Sequence, residues 1–140
     1  SPSSYEIIYK KTGKNVGTYQ AQINFRGDYT GSKMISYQIL PKNCSLRSVK
    51  AKKKSFTVRW KKLSTKMPAK RISGYQIQYS EKTNYSKSKI KKVSGYKKTS
   101  VTIKKLKSKK KYYVRIRTIL KSSGKTYYSN WSGSKGVKTK

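Results

Sequence analysis

The chain has no histidine, one cysteine and three carboxylic acids, and each shortage removes a class of chemistry. General acid–base catalysis needs a group that titrates near neutral pH, usually with a second group to orient it. Glu6, Asp28 and Glu81 are scattered along 140 residues and make no such pair. Zinc sites need clustered thiolates, imidazoles or carboxylates, which the same residues cannot assemble. The 31 lysines single out no nucleophile, and a self-formed Lys–Asn crosslink needs a buried acid beside the pair. The reading is therefore non-catalytic, with no cofactor and no metal. Cys44 is alone, so no internal disulfide forms and cysteine spacing is silent on redox compartment. It shares strand parity with Leu46 and reads as a small buried apolar side chain. Apolar runs are short, and none reaches the length that spans a bilayer. Ser1-Pro2-Ser3 reads as a cut end, so the lack of a signal-peptide pattern in these residues carries no information.

What the chain has in excess is positive charge. Thirty-seven Lys and Arg against three acids give a formal net charge of +34, spread along the whole length. A field of that size repels itself and attracts polyanions. Single clusters such as Lys52-Lys54 and Lys109-Lys111 read as solvated turns. So charged a chain raises the alternative of disorder. The apolar residues argue against it, because they alternate and are of the β-branched and aromatic types that suit a pleated sheet. Thirteen tyrosines and two tryptophans add large bodies with polar tips.

Period-two alternation places the strands. Tyr5, Ile7 and Tyr9 alternate first, then Tyr19, Ala21, Ile23 and Phe25, then Ile35, Tyr37 and Ile39. Gly13, Gly17, Gly27 and Gly31 punctuate the connections, with Asn15 and Asp28 as turn residues. Three such strands make one sheet with one apolar face, and that face needs a cover. Tyr19, Ile23, Phe25, Tyr37 and Ile39 are expected to lie against the rest of the chain or against a second copy. Pro41 marks a boundary, with a linker at 41–43. Seven strands follow from residue 44: one from about Cys44 to Val49, one through Phe56, Val58 and Trp60, and one through Tyr75, Ile77 and Tyr79. A short strand surrounds Ile90 and Val93. Val101 and Ile103 lead to Leu106, Tyr112, Val114 and Ile116 follow, and the last strand runs from about Trp131 through Val137. Ser94-Gly95 and Ser123-Gly124 are turns at the spacing of a two-sheet sandwich. Helical periodicity is absent, and the class is all-β.

Trp60, the Tyr75-Ile77-Tyr79 alternation and Leu106 followed by Tyr112 resemble a fibronectin type III domain over about residues 43–140. The resemblance implies a seven-stranded antiparallel sandwich over 44–140. It also implies a tyrosine corner, in which the Tyr112 hydroxyl bonds back to the chain near Leu106. The family's usual proline between those two is missing, and Lys107 to Lys111 fill the turn. Ser73-Gly74-Tyr75-Gln76-Ile77-Gln78-Tyr79-Ser80 and Lys111-Tyr112-Tyr113-Val114-Arg115-Ile116-Arg117 resemble bacterial repeats of this family, which occur in secreted or wall-attached proteins of Gram-positive gut bacteria. Asn15-Val16-Gly17-Thr18 and Gly27-Asp28-Tyr29-Thr30-Gly31 resemble the last strands of a bacterial immunoglobulin-like domain. Residues 1–40 are accordingly expected to be a partial, three-stranded immunoglobulin-like sheet, and the chain a fragment of a longer protein.

Tyr128-Ser129-Asn130-Trp131-Ser132 is similar to the Trp-Ser-x-Trp-Ser element of cytokine-receptor fibronectin domains, with tyrosine in place of the first tryptophan. The resemblance implies arginines stacked on the aromatic rings. Arg115 and Arg117 have the outward parity that this requires, opposite to Val114 and Ile116. Two readings are open. The first is a Trp131–Arg ladder that stiffens the outer face. The second is an aromatic-cationic binding strip formed by Gln76, Gln78, Arg115, Arg117 and Trp131.

Lysines outnumber arginines 31 to 6, so nucleic acid binding is expected to be non-specific, through phosphate contacts alone. The partners expected are anionic cell-wall polymers such as teichoic acids, acidic glycans and neighbouring domains of the parent protein, with a dimer through the first sheet as a further option. Leu40-Pro41-Lys42-Asn43 begins like a sortase signal but lacks the Thr-Gly. The Asn-x-Ser triplets at Asn43, Asn84 and Asn130 read as chance. The expected role is spacer, display or adhesion in a secreted or wall-bound protein of a Gram-positive bacterium. The alternatives are a polyanion-binding module acting through its charge, and an accessory domain of a larger extracellular hydrolase.

Overall fold

Apolar residues at every second position bury one face of a pleated strand, and three sheets follow from that pattern. The computed structural model describes residues 5–9, 16–25, 31–63 and 71–140. Strands β1 (Tyr5–Tyr9), β2 (Gly17–Phe25) and β3 (Ser32–Ile39) form one antiparallel sheet in that order. Tyr19 is buried between exposed Thr18 and Gln20, while Ile35, Tyr37 and Ile39 are half-buried between exposed Met34, Ser36 and Gln38. Tyr19 and Tyr37 are cross-strand partners and stack at 5.7 Å. The expected parity therefore holds at these positions. Ile23 and Phe25 lie outside the described side chains, and Gly13, Asn15, Gly27 and Asp28 outside the described residues.

The sandwich begins after a stretch without strand structure. Pro41 there is buried, and the Lys42 carbonyl accepts a hydrogen bond from the Thr118 hydroxyl at 2.7 Å. One sheet is β4 (Leu46–Lys52), β5 (Ser55–Trp60) and β8 (Ser100–Ile103), ordered β4-β5-β8. The other contains β6 (Gly74–Ser80), β7 (Lys89–Ser94), β9 (Lys111–Ser122) and β10 (Lys125–Tyr128), ordered β10-β9-β6-β7. The final strand, β11 (Lys135–Lys138), also pairs with β9. Phe56, Val58 and Trp60 from the first sheet meet Tyr75, Ile77, Val114 and Ile116 from the second, all at most 1% exposed. Each such side chain contributes about 1.5–3 kcal/mol by leaving water. Trp60 packs on Tyr75 at 5.1 Å, and Phe56 on Tyr112 at 5.8 Å.

Local chemistry fixes the connections. Ser123 and Gly124 both have positive φ, 51° and 75°, and join paired residues Ser122 and Lys125. A two-residue turn of that hand matches the twist of the strands it connects. Gly74 is required for another reason: a Cβ there would lie 2.2 Å from the Val93 carbonyl oxygen. Lys53 and Lys54 turn between β4 and β5, and Lys109 and Lys110 precede β9, all exposed as expected. The tyrosine corner forms despite the missing proline. Leu106 is half-buried against the core, and the Lys107 N–H donates to the Tyr112 hydroxyl at 3.1 Å.

Two strand boundaries differ from expectation. The first sandwich strand begins at Leu46, not Cys44, and its register slips between Leu46 and Ser48. Cys44 is nonetheless buried. The last strand, expected from Trp131 through Val137, is confined to β11, Lys135–Lys138; Trp131 lies before it, and β10, a strand not expected, pairs with β9 on the other side of Trp131. The reason lies in the serines that flank Trp131, Ser129 and Ser132, whose hydroxyls accept from β9 amides.

Candidate functional site

The β6–β9 register sets Gln76 opposite Arg117 and Gln78 opposite Arg115. All four have the outward parity, since the alternate residues Ile77, Val114 and Ile116 fill the core. Arg117 Nε donates to Gln76 Oε1 at 2.6 Å, and Arg115 Nε donates to Gln78 Oε1 at the same distance. Gln78 also donates through Nε2 to Ser88 Oγ at 2.8 Å. Each glutamine thus holds an arginine flat against the sheet.

The rings complete a ladder. The Arg115 guanidinium stands 4.0 Å from the Tyr85 ring centre and 4.7 Å from that of Trp131. That of Arg117 stands 4.2 Å from Trp131 and 3.9 Å from Tyr128. The order is Tyr85, Arg115, Trp131, Arg117, Tyr128, with rings and cations alternating. Each guanidinium thus has two rings within 4.7 Å. Contacts of this kind contribute about 0.5–1 kcal/mol when exposed and about 2 kcal/mol when desolvated. Burial, with the like charge of Arg115 adding to it, pushes Arg117 below the usual guanidinium value, and Tyr128 opposes that shift. A guanidinium keeps its proton at any physiological pH, so Arg117 remains a cation.

Two serines hold Trp131 in the ladder. Ser129 donates its N–H to the Thr118 carbonyl at 3.0 Å and accepts the Thr118 N–H on Oγ at 2.8 Å. Ser132 repeats the arrangement on Ile116, at 2.8 and 3.0 Å. The serine hydroxyls stand where a partner strand would offer carbonyls. The β9 amides are therefore satisfied while the chain departs from strand geometry, which separates β10 from β11. Beyond the ladder, the Tyr85 hydroxyl hydrogen-bonds with Ser134 Oγ at 2.7 Å and ties its loop to the segment before β11.

All five residues expected on this face, Gln76, Gln78, Arg115, Arg117 and Trp131, come together. Gln76 differs in being only 5% exposed, because the arginine layer covers it. Two members were missing from the sequence-based set. Tyr128 was visible only as the first aromatic of the Tyr-Ser-Asn-Trp-Ser stretch. Tyr85 had no local signal, since it reaches the ladder from a loop with a left-handed backbone, φ 59°.

A split outer strand, a tyrosine corner and a core tryptophan belong to one known architecture, and sequence comparison agrees. The profile described as Fibronectin type III domain matches residues 41–133. The chain belongs to the fibronectin type III family. Among solved structures it is similar to the FN1–FN3 domains of chicken CNTN1, at 21% identity and a TM-score of 0.60, over 89% of this chain and 43% of that one. It is also similar to the fn3 domain of human collagen alpha-1(XX), at 21% identity and a TM-score of 0.52, over 70% of this chain and 84% of that one. The chain thus spans under half the length of the CNTN1 structure, and both likenesses concern the fold. No curated protein matches it. Domains of this family are generally non-catalytic modules of multidomain proteins.

Proposed function

We propose that the chain is a spacer, display or adhesion module of a secreted or wall-associated bacterial surface protein. In this reading residues 44–140 are the fibronectin type III domain, 41–43 a linker, and 1–40 the closing strands of an immunoglobulin-like domain. The observation that carries it is that the chain's own glutamines and rings already engage both arginines. Each arginine has two rings within 4.7 Å and its Nε bonded to a glutamine, all from within the chain, so the strip braces the outer sheet. A brace of this kind suits a domain that keeps its shape within an array. The test is binding of the intact chain to purified Gram-positive cell walls. Arg115→Ala and Trp131→Ala should lower stability and leave wall association unchanged; selective loss of association in these variants would reverse the reading.

A second reading rests on the charge of +34. Exposed lysines lie on both sheets, among them Lys50 and Lys52 on β4 and Lys91 and Lys92 on β7. A diffuse cationic surface holds a module near teichoic acids or acidic glycans by counterion release, which predicts a steep loss of association with added salt. The role of accessory domain to a larger hydrolase shares both features, and the neighbouring sequence of the parent protein distinguishes it.

A further inference from the structure

Away from the ladder, a cleft of about 310 Å³ opens beside the tyrosine corner. Two connections build it, the one between β6 and β7 and the one between β8 and β9. The first supplies Lys82 and Lys87, joined by Lys89 at the start of β7, and the second supplies Lys105 and Lys107. Lysine is five of the eleven lining residues, against 31 of 140 in the chain, so lysines are concentrated here. The one acid in the lining, Glu81, pairs with Lys107 at 2.9 Å and lies 3.9 Å from Lys110. Lys82, Lys87, Lys89 and Lys105 make no salt bridge among the described residues.

Tyr79 adds a fixed donor. Its ring packs edge-on against Phe56 at 5.9 Å and against Tyr112 at 6.5 Å. Its hydroxyl has no hydrogen-bond partner among the described residues. Burial, with Tyr112 nearby, raises its pKa, so the hydroxyl keeps its proton well into the alkaline range.

We propose that this cleft binds the oxyanion of an anionic saccharide: a phosphate, sulfate or carboxylate carried on a polyhydroxylated chain. Ammonium groups recognise such an oxyanion as point charges on flexible stems and need no planar fork. The volume is at the small end of ligand sites, enough for a sugar-sized group. Nucleic acid fits less well. Single strands gain affinity by stacking bases on free aromatic faces, and the rings of Tyr79 and Tyr112 are packed against each other and Phe56. The proposal rests on the polyanion reading above, to which it adds a discrete site, and is independent of the ladder.

Titration calorimetry on the intact chain tests it with three probes of matched charge: a heparin-derived octasaccharide, a glycerol phosphate oligomer and an oligodeoxythymidine. Lys82→Gln/Lys89→Gln should weaken at least one saccharide or polyol phosphate about tenfold, while the control pair Lys50→Gln/Lys125→Gln changes it less than about twofold. Glu81→Gln, which frees Lys107 and removes the one carboxylate of the cleft lining, should tighten binding about threefold, and Tyr79→Phe should weaken it by a similar factor. Whichever probe shows the tenfold dependence on the cleft lysines identifies the source of the oxyanion. Equal losses in the cleft and control pairs would overturn the proposal. So would binding of the oligodeoxythymidine as tight and as dependent on Lys82 and Lys89, or no saturable binding of the other two probes at low salt.

Discussion

Gln76 and Arg117 are directly opposed residues of β6 and β9, joined by a 2.6 Å hydrogen bond from Arg117 Nε to Gln76 Oε1. The bond converts a sheet register into a position for a charge. Because the glutamine fixes the guanidinium, rings can stack against it. Gln78 and Arg115 repeat the relationship one pleat along the same strands, and the Trp131 ring lies between the two cations.

Trp131 therefore has two cationic contacts where an ordinary surface tryptophan has none. Trp131→Ala should cost about 1–3 kcal/mol, from two contacts of about 0.5–1 kcal/mol or more each together with lost packing. A double-mutant cycle of Trp131→Leu with Arg117→Met, followed by urea denaturation, should give a coupling energy of about 0.5–2 kcal/mol. Additive single effects would show that the indole and the guanidinium do not support one another.

The two serines beside Trp131 should differ in their effect. Ser129 is 4% exposed and its Oγ satisfies a buried amide, whereas Ser132 is half-buried. Removing a partner and leaving a buried donor unmet costs about 1–3 kcal/mol, so Ser129→Ala should lose that much. Ser132→Ala, with water closer to hand, should lose about 0.5–1.5 kcal/mol. Native-state hydrogen exchange gives the sharper readout. The Thr118 amide should lose protection in the first variant and the Ile116 amide in the second, with remote core amides changing only through global stability.

Much of this was legible because burial and alternation are local. Phe56-Val58-Trp60 and Tyr112-Val114-Ile116 announce which face is inside, and the parity of Arg115 and Arg117 follows at once. The Leu106–Tyr112 spacing located the corner even with lysines in place of proline, since the hydroxyl needs only a backbone N–H to accept from. What was not legible depends on long-range geometry. Tyr85 joins the ladder from a loop thirty residues before Arg115 in sequence, and no periodicity marks a residue whose role is set by tertiary contact. The gap between β10 and β11 was hidden for a different reason. Alternation assigns faces but cannot show that a serine side chain has replaced a backbone carbonyl as acceptor.

Cys44 supplies a test that depends on pH. Burial pushes its thiol from an ordinary value of 9.0 up to about 12. Between those values the unfolded chain releases a proton that the folded chain keeps, so stability falls as pH rises. The contribution is complete below 9.0 and lost on approach to about 12. The difference in unfolding free energy between the wild type and Cys44→Ala should narrow steadily across that window. Tyr79, also raised by burial, is present in both proteins and cancels, whereas Tyr75, raised by burial and in part by the Cys44 charge, is coupled to the substitution and contributes to the narrowing. At pH 8 an aromatic disulfide reagent should modify Cys44 only as fast as the chain opens, with urea accelerating the reaction. Rapid modification in native buffer would contradict the burial.

The last prediction concerns the junction of the first sheet with the sandwich. Val16, at the entrance to β2, is 5% exposed and belongs to the same buried cluster as Trp60 and Tyr127. Two residues on, Thr18 Oγ1 lies 3.0 Å from the Tyr127 hydroxyl of β10. An apolar anchor and a hydrogen bond at one place make the sheet lean on the sandwich, whatever its own stability. Val16→Ala should therefore destabilise the sandwich by about 1–3 kcal/mol, as truncations in a packed core do. Tyr127→Phe, which keeps the ring and removes the hydroxyl, should cost about 0.5–1.5 kcal/mol. Both should move the midpoint of the transition followed by tryptophan fluorescence, since both tryptophans lie in the sandwich. An unchanged fluorescence midpoint in Val16→Ala would mean that the sandwich is stable without this anchor.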